Sequence, residues 1–307
     1  MTQLRAAVLA ALAGALLQSA PALAQQEEPE AADTDIVVTG ERERKPPTSS
    51  EVTRQARDIS DVTSNIRSRP LARIEDRLCP GVMGLRTSGA ELMIDRIRWN
   101  AERLEMGLAD DTACAPNLIV VFVEDGKAQL AALEREQGHL FSSLSLPQRR
   151  ALLAEDGPVR VWTTAVDHTR DGRPIPRSPD PNRPPVVSMW MAHSKIYLTI
   201  RQDIEQVVVL FDREGVRGMS LIQLADYVTM RSFARTKPAE GDAPLDTILA
   251  LFDANHEPPL GLTDFDQAYL RSVYESIPNL PAASKLLGVN RELTRLIREE
   301  EEQASAE

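Results

Sequence analysis

Four histidines, His139, His168, His193 and His256, are the natural metal-binding candidates in this chain, and no two of them lie within one helical turn of each other. A zinc hydrolase of the HExxH kind needs two imidazoles four residues apart on one helix face, with a glutamate between them as base. That spacing is absent. Asp167, His168 and Asp171 fall together in VDHTRDG, at the mouth of a proline-rich stretch, where they read as a polar turn. Asp203, Glu205, Asp212 and Asp226 could converge as an acid–base pair, but among 46 acidic residues their abundance says little. No G-x-S-x-G elbow, Walker loop or G-x-G-x-x-G is found. No catalytic residue, metal ligand or cofactor is therefore assigned. One polar pair stands out: Asp226 and Tyr227 sit in the middle of the apolar run SLIQLADYVTM, where a buried aspartate needs partners. They are the candidate remnant of a site.

Only two cysteines occur, Cys79 and Cys114. With no further ligand at metal-like spacing, an isolated pair in an oxidising compartment forms one disulfide, closing a loop of about 36 residues and contributing roughly 3–4 kcal/mol. The compartment follows from the start of the chain. MTQLR, the apolar AAVLAALAGALL and the small-residue exit Ala22-Leu23-Ala24 form the three parts of a secretory signal peptide. The apolar run is too short to span a bilayer of roughly 30 Å. Cleavage after Ala24 takes Arg5 with it and moves the formal charge from −11 to about −12. That balance disfavours nucleic acid, whose phosphates call for a Lys/Arg surface. A periplasmic or secreted protein without a membrane span after cleavage is expected, and the oligomeric state is not legible.

The elements that would position these residues alternate in type. Met93, Ile94, Ile97, Ala101 and Leu104 recur at helical steps and predict an amphipathic helix from Ala90 to about Leu108, ending near Gly107 or Asp110. A disulfide across it needs CPGVMGLRTSG to run back along the helix, pinning an extended lead-in against it. NLIVVFVED predicts a strand buried on both faces, followed by helices in KAQLAALEREQGHLF and LPQRRALLAEDG. GPVRVWTTAV, VVSMWMA, SKIYLTI and IEQVVVLFD predict further strands around the proline-rich loop. GMSLIQLADYVTMRSFA predicts a helix that buries one face, and in LTDFDQAYLRSVYES Thr263 and Asp266 form a capping pattern. The fold expected is α+β: a mixed sheet of about five strands packed with helices, and a helical C-terminal part.

The domain plan is a signal peptide over 1–24, a disordered leader over 25–71, an α+β domain over 72–290 and a fraying acidic helical tail over 291–307. The leader is polar, charged and interrupted by proline. Its exception is DTDIVVTG, which is similar to the TonB box of outer-membrane TonB-dependent receptors. That resemblance implies a candidate partner-binding strand, Ile36, Val37, Val38 and Thr39, able to pair with a sheet edge of a TonB-like periplasmic protein. Over about 117–280, NLIVVFVED, GPVRVW, SKIYLTI, SLIQLADYVTM and LTDFDQAYLRSVYE resemble a family of uncharacterised secreted Gram-negative proteins, some with a zincin-like His-Glu helix. Ile222 and Gln223 stand where that helix carries His and Glu. The resemblance thus implies a degenerate scaffold. The function expected is an exported, non-catalytic binding or accessory protein, with a cryptic hydrolase lacking HExxH as the alternative.

Overall fold

The computed structural model describes residues 47–62, 65–110, 114–175, 182–183, 186, 188, 193–239, 243–255 and 257–305. The signal segment, Ile36–Thr39 and His256 lie outside them. All described residues belong to one unit, Pro46–Glu307. Its sheet has four strands, β1 (Pro80–Met83), β2 (Leu118–Val123), β3 (Val159–Thr169) and β4 (Ile200–Asp212), in the spatial order β1-β2-β4-β3. The first three positions in that order run parallel, and β3 is antiparallel at the edge with a register shift at Thr164/Ala165.

Alternation sorts the strand side chains onto two faces. Leu118, Val120 and Phe122 of β2 and Val207, Val209 and Phe211 of β4 enter the main core. Residues between them, Val121, Val123, Val208 and Leu210, meet a smaller core built on Leu130, Phe141, Leu152 and Trp162. Helices α3 (Gly126–Glu136) and α4 (Leu146–Ala154) cover that second face. The main core lies under α1 (Ser49–Ile59), α2 (Thr87–Glu102), α5 (Leu221–Phe233), α6 (Asp264–Tyr274) and α7 (Ala282–Ala304). An α+β fold with a mixed sheet is what the sequence predicts, with four strands among the described residues in place of about five.

Three expectations are corrected. Residues 25–71 do not lie wholly outside the folded domain: α1 opens on a capping box of Thr48 and Glu51 and buries Val52, Ala56 and Ile59 in the main core. The four- and three-residue spacing of those apolar positions is helical, but charges on the other face hide it from composition. Gln55 fixes this helix further, bonding both the N–H and the C=O of Leu245. At the other end, the boundary at 290 falls inside α7, whose Leu293 and Leu296 still reach the core. SKIYLTI does not form a strand before Ile200, because Leu198 spends its backbone groups on Asn279 instead. VVSMWMA lies mostly outside the described residues.

Cys79 and Cys114 are joined, with Cα atoms 6.1 Å apart. The lead-in does more than lie along α2: it becomes β1, pairing Pro80–Met83 with Leu118–Val121 in parallel, so α2 is the crossover of a βαβ unit. The disulfide therefore ties together the entries of two neighbouring strands. Helix α2 itself ends three residues before Glu105, which takes the left-handed conformation (φ 55°) in which Met106 N–H reaches the carbonyl of Ala101. Glycine usually fills that place.

Candidate functional site

Helix α5 begins with a capping box of Ser220 and Gln223, and Gln223 also donates to the carbonyl of Pro259. Gln223 is therefore a helix-capping side chain at the position where the zincin-like resemblance has its glutamate. One turn on, Asp226 is fully buried. Its carboxylate is gripped by Arg96 of α2 through two bonds of 2.7 Å, by Asn100 Nδ2 at 2.7 Å and by the N–H of Leu262 at 3.0 Å. Gly261 makes room for it, since a Cβ there would stand 2.7 Å from Asp226 Oδ2. Every acceptor direction is engaged, so Asp226 clamps α2, α5 and the loop before α6 together. Tyr227 packs edge-on against Phe252 at 5.0 Å and accepts a bond from Arg231. The candidate remnant pair is thus divided between two structural roles.

The other carboxylates do not converge. Asp203, at one end of β4, pairs with Arg201 at 2.8 Å and lies 3.3 Å from His168 Nδ1, while Glu205 is exposed and Asp212 sits at the far end of the strand. Burial pushes the Asp203 carboxyl up, against the pull of Arg201. Arg73, on the strap before β1, pairs with Glu75 and donates to the carbonyls of Val273, Tyr274 and Ser276. Beside it Lys285 of α7 is 1% exposed, and among the described residues its ammonium donates to the Val273 carbonyl alone, at 3.3 Å. Burial first, then Arg73, pushes this lysine down to about 7. His139 and His193 are exposed. Among the described residues no three of His, Cys, Asp and Glu come together to hold a metal ion.

A cleft of about 670 Å³ opens where β4 ends. In sheets with parallel strands the space beyond the carboxyl ends is where ligands bind, because backbone and loops diverge there. Its floor is apolar, with Pro158, Met219, Leu251, Phe252 and Pro258. Its rim is acidic, with Asp156, Asp212, Glu214 and Asp253. Gly215 lets the β4 exit pass the Pro158 ring, since a Cβ there would meet it at 2.5 Å. Asp156 is already bonded to Lys127 at 2.6 Å, which with the Asp125 cap of α3 fixes one side of the rim. Sequence reasoning missed this site. Its rim is assembled from separate segments, Asp156 before β3, Asp212 and Glu214 at the end of β4, and Asp253, and no single stretch of sequence announces it.

The grip on Asp226, the Arg73 network and the acidic cleft rest on this chain's own geometry: no protein-family model matches the sequence, no curated protein matches it, and no solved structure matches the fold.

Proposed function

We propose that this protein is an exported, non-catalytic binding or accessory module whose ligand enters the cleft beyond β4. The observation that carries the reading is the lining of that cleft, an apolar floor beneath four carboxylates, of which Asp156 is paired with Lys127 and Glu214 with Arg217. Such a surface favours recognition of a cation, because its carboxylates attract positive charge while the apolar floor takes up the body of the ligand. It suits a small ligand with an apolar body and a positively charged group. Export is supported by the disulfide, which belongs to an oxidising compartment. No helix among the described residues is long and apolar enough to cross a membrane.

A methyl NMR titration tests the cleft. Phenethylammonium is expected to shift the Met219 methyl saturably, and phenylacetate, the same shape with inverted charge, is not. Asp212→Asn should weaken the amine several-fold. A Met219 methyl that ignores the amine up to about 20 mM, in the weak range for a small ligand, overturns the reading.

Within this proposal, Ile36–Thr39 is the partner-facing strand for a TonB-like periplasmic protein. Val38→Pro removes one backbone donor and should abolish the resonance shifts of residues 33–40 on adding a TonB C-terminal domain. Equal shifts in both proteins would remove the partner from the proposal.

A further inference from the structure

Helix α2 and its C-cap residue present Leu92, Arg96, Trp99 and Arg103 along one stripe, at steps of three and four residues. Trp99 is 42% exposed, yet it is not free to move: Arg96 stands 4.3 Å and Arg103 4.6 Å from its ring centre. The charge of Arg96 is consumed by Asp226. The charge of Arg103 is not, since its hydrogen bond goes to a neutral acceptor, Gln267 Oε1, at 2.7 Å. Gln267 and Arg271 are one turn apart on α6, so Arg271 lies on the same side. Its own partner, Glu299, is held loosely at 3.4 Å.

Two guanidinium groups thus share a groove without a firm counterion, on a chain whose net charge is −11. The crowding is felt at Arg103, which burial, Arg271 and Arg96 together hold below the usual guanidinium range. Beneath the groove is a pocket of about 20 Å³ bordered by Asn100, Arg103, Gln267 and Arg271 on its polar side and by Leu104, Leu262 and Leu270 on the other. That is room for one oxygen-sized group. Asn100 is 3% exposed; its Nδ2 is fixed by Asp226 and Thr229, and its Oδ1 is left without a partner. A buried acceptor left unmade costs free energy unless a donor arrives.

We propose that the groove between the C-terminal turn of α2 and the middle of α6 binds an oxyanion, with Arg103 and Arg271 as the cationic jaws and Trp99 as the aromatic wall. One oxygen enters the small pocket, where a protonated phosphate oxygen can also donate to Asn100 Oδ1. Arg103 also lines a neighbouring cleft of about 610 Å³, whose Glu75, Asp76, Glu105 and Glu275 admit only a neutral or cationic part of a larger molecule. Glu299 is the tethered competitor that such a ligand displaces. This groove is separate from the cleft beyond β4, and neither reading depends on the other.

Inorganic phosphate is the probe, titrated into the full-length protein at constant ionic strength while Trp99 emission is followed, with Trp99→Phe as the optical blank. A saturable change with half-effect near about 1 mM is expected, as befits two partly exposed charge-assisted contacts. Arg103→Gln and Arg271→Gln should each weaken it about tenfold, while Glu299→Gln should tighten it about twofold to fivefold. A preference for phosphate over acetate points to phosphate esters as the natural ligands, and equal response points to carboxylates; both uphold the oxyanion site. No saturable change up to about 50 mM, or arginine variants that bind like the parent while melting like it, overturns it.

Discussion

Two buried charges, Asp226 and Lys285, are housed in opposite ways. Asp226 has lost all contact with water but meets an arginine, an asparagine and a backbone N–H at hydrogen-bond distance. Lys285 is buried almost as completely and meets one carbonyl, with Arg73 nearby as an unwelcome like charge that the more weakly felt Glu75 only partly offsets. A charge that brings its counterion into the core is a fastener. One whose counterion stays out of hydrogen-bond reach is a standing cost, relieved by giving up its proton. The difference teaches that burial alone does not mark a functional residue; what matters is whether the desolvated group has been given work by its neighbours.

Breaking the fastener should have the largest effect. Asp226→Ala strands Arg96 and Asn100 and is expected to cost about 3–5 kcal/mol, read as a lower urea midpoint at unchanged slope. A variant that loses less than about 1 kcal/mol would mean that Arg96 finds water and the grip is ornamental. Next comes the covalent tie around the helix that carries Arg96 and Asn100. Reducing Cys79–Cys114 should remove roughly 3–4 kcal/mol by the loop-closure argument and lower the melting temperature by several degrees.

The lysine side predicts a gain. Lys285→Met should stabilise the protein by about 1–4 kcal/mol near pH 6.5, since replacing a poorly paired buried charge by an apolar chain of similar length removes its desolvation cost. The pH dependence fixes the cause. The folded-state value lies near 7 and the unfolded near 10.5, so between them the unfolded chain holds a proton the folded one lacks. Parent stability therefore rises with pH across that window, and the advantage of Lys285→Met should shrink toward pH 10. A constant advantage would assign the effect to packing. The smallest change concerns the end of α2: Glu105→Gly relieves a left-handed side-chain residue and should add about 0.5–1 kcal/mol in a thermal melt.

The parts of this fold that could be read beforehand are those whose signal is local. The Thr263/Asp266 cap stands as expected, with Asp266 taking bonds from Thr247, Ile248 and Thr263. β2 follows from an unbroken apolar run, and α5 from apolar residues recurring at helical steps around Gln223 and Asp226. The cysteine pairing needed only a count. Strand β1 stayed hidden because four residues, two of them Pro80 and Gly81, carry no period, and its identity comes from β2 alongside it. The need of Asp226 for partners was legible, but not its partner: Arg96 lies 130 residues away in the chain and is fixed only by how α2 packs on α5. The cleft was illegible for the same reason, since its walls come from segments around 156, 212 and 252.

The disulfide also encloses β1 and α2 in a covalent ring from Cys79 to Cys114, with β2 starting just beyond it. A protease that nicks any peptide bond inside that ring leaves the two products linked, and the severed chain keeps its mass on a non-reducing gel. Strand β1 then remains leashed to the start of β2 and can re-pair without a search through solution. Damage to this stretch is therefore silent until the sulfur bridge is opened, and only a reducing gel would show two fragments where one chain had run.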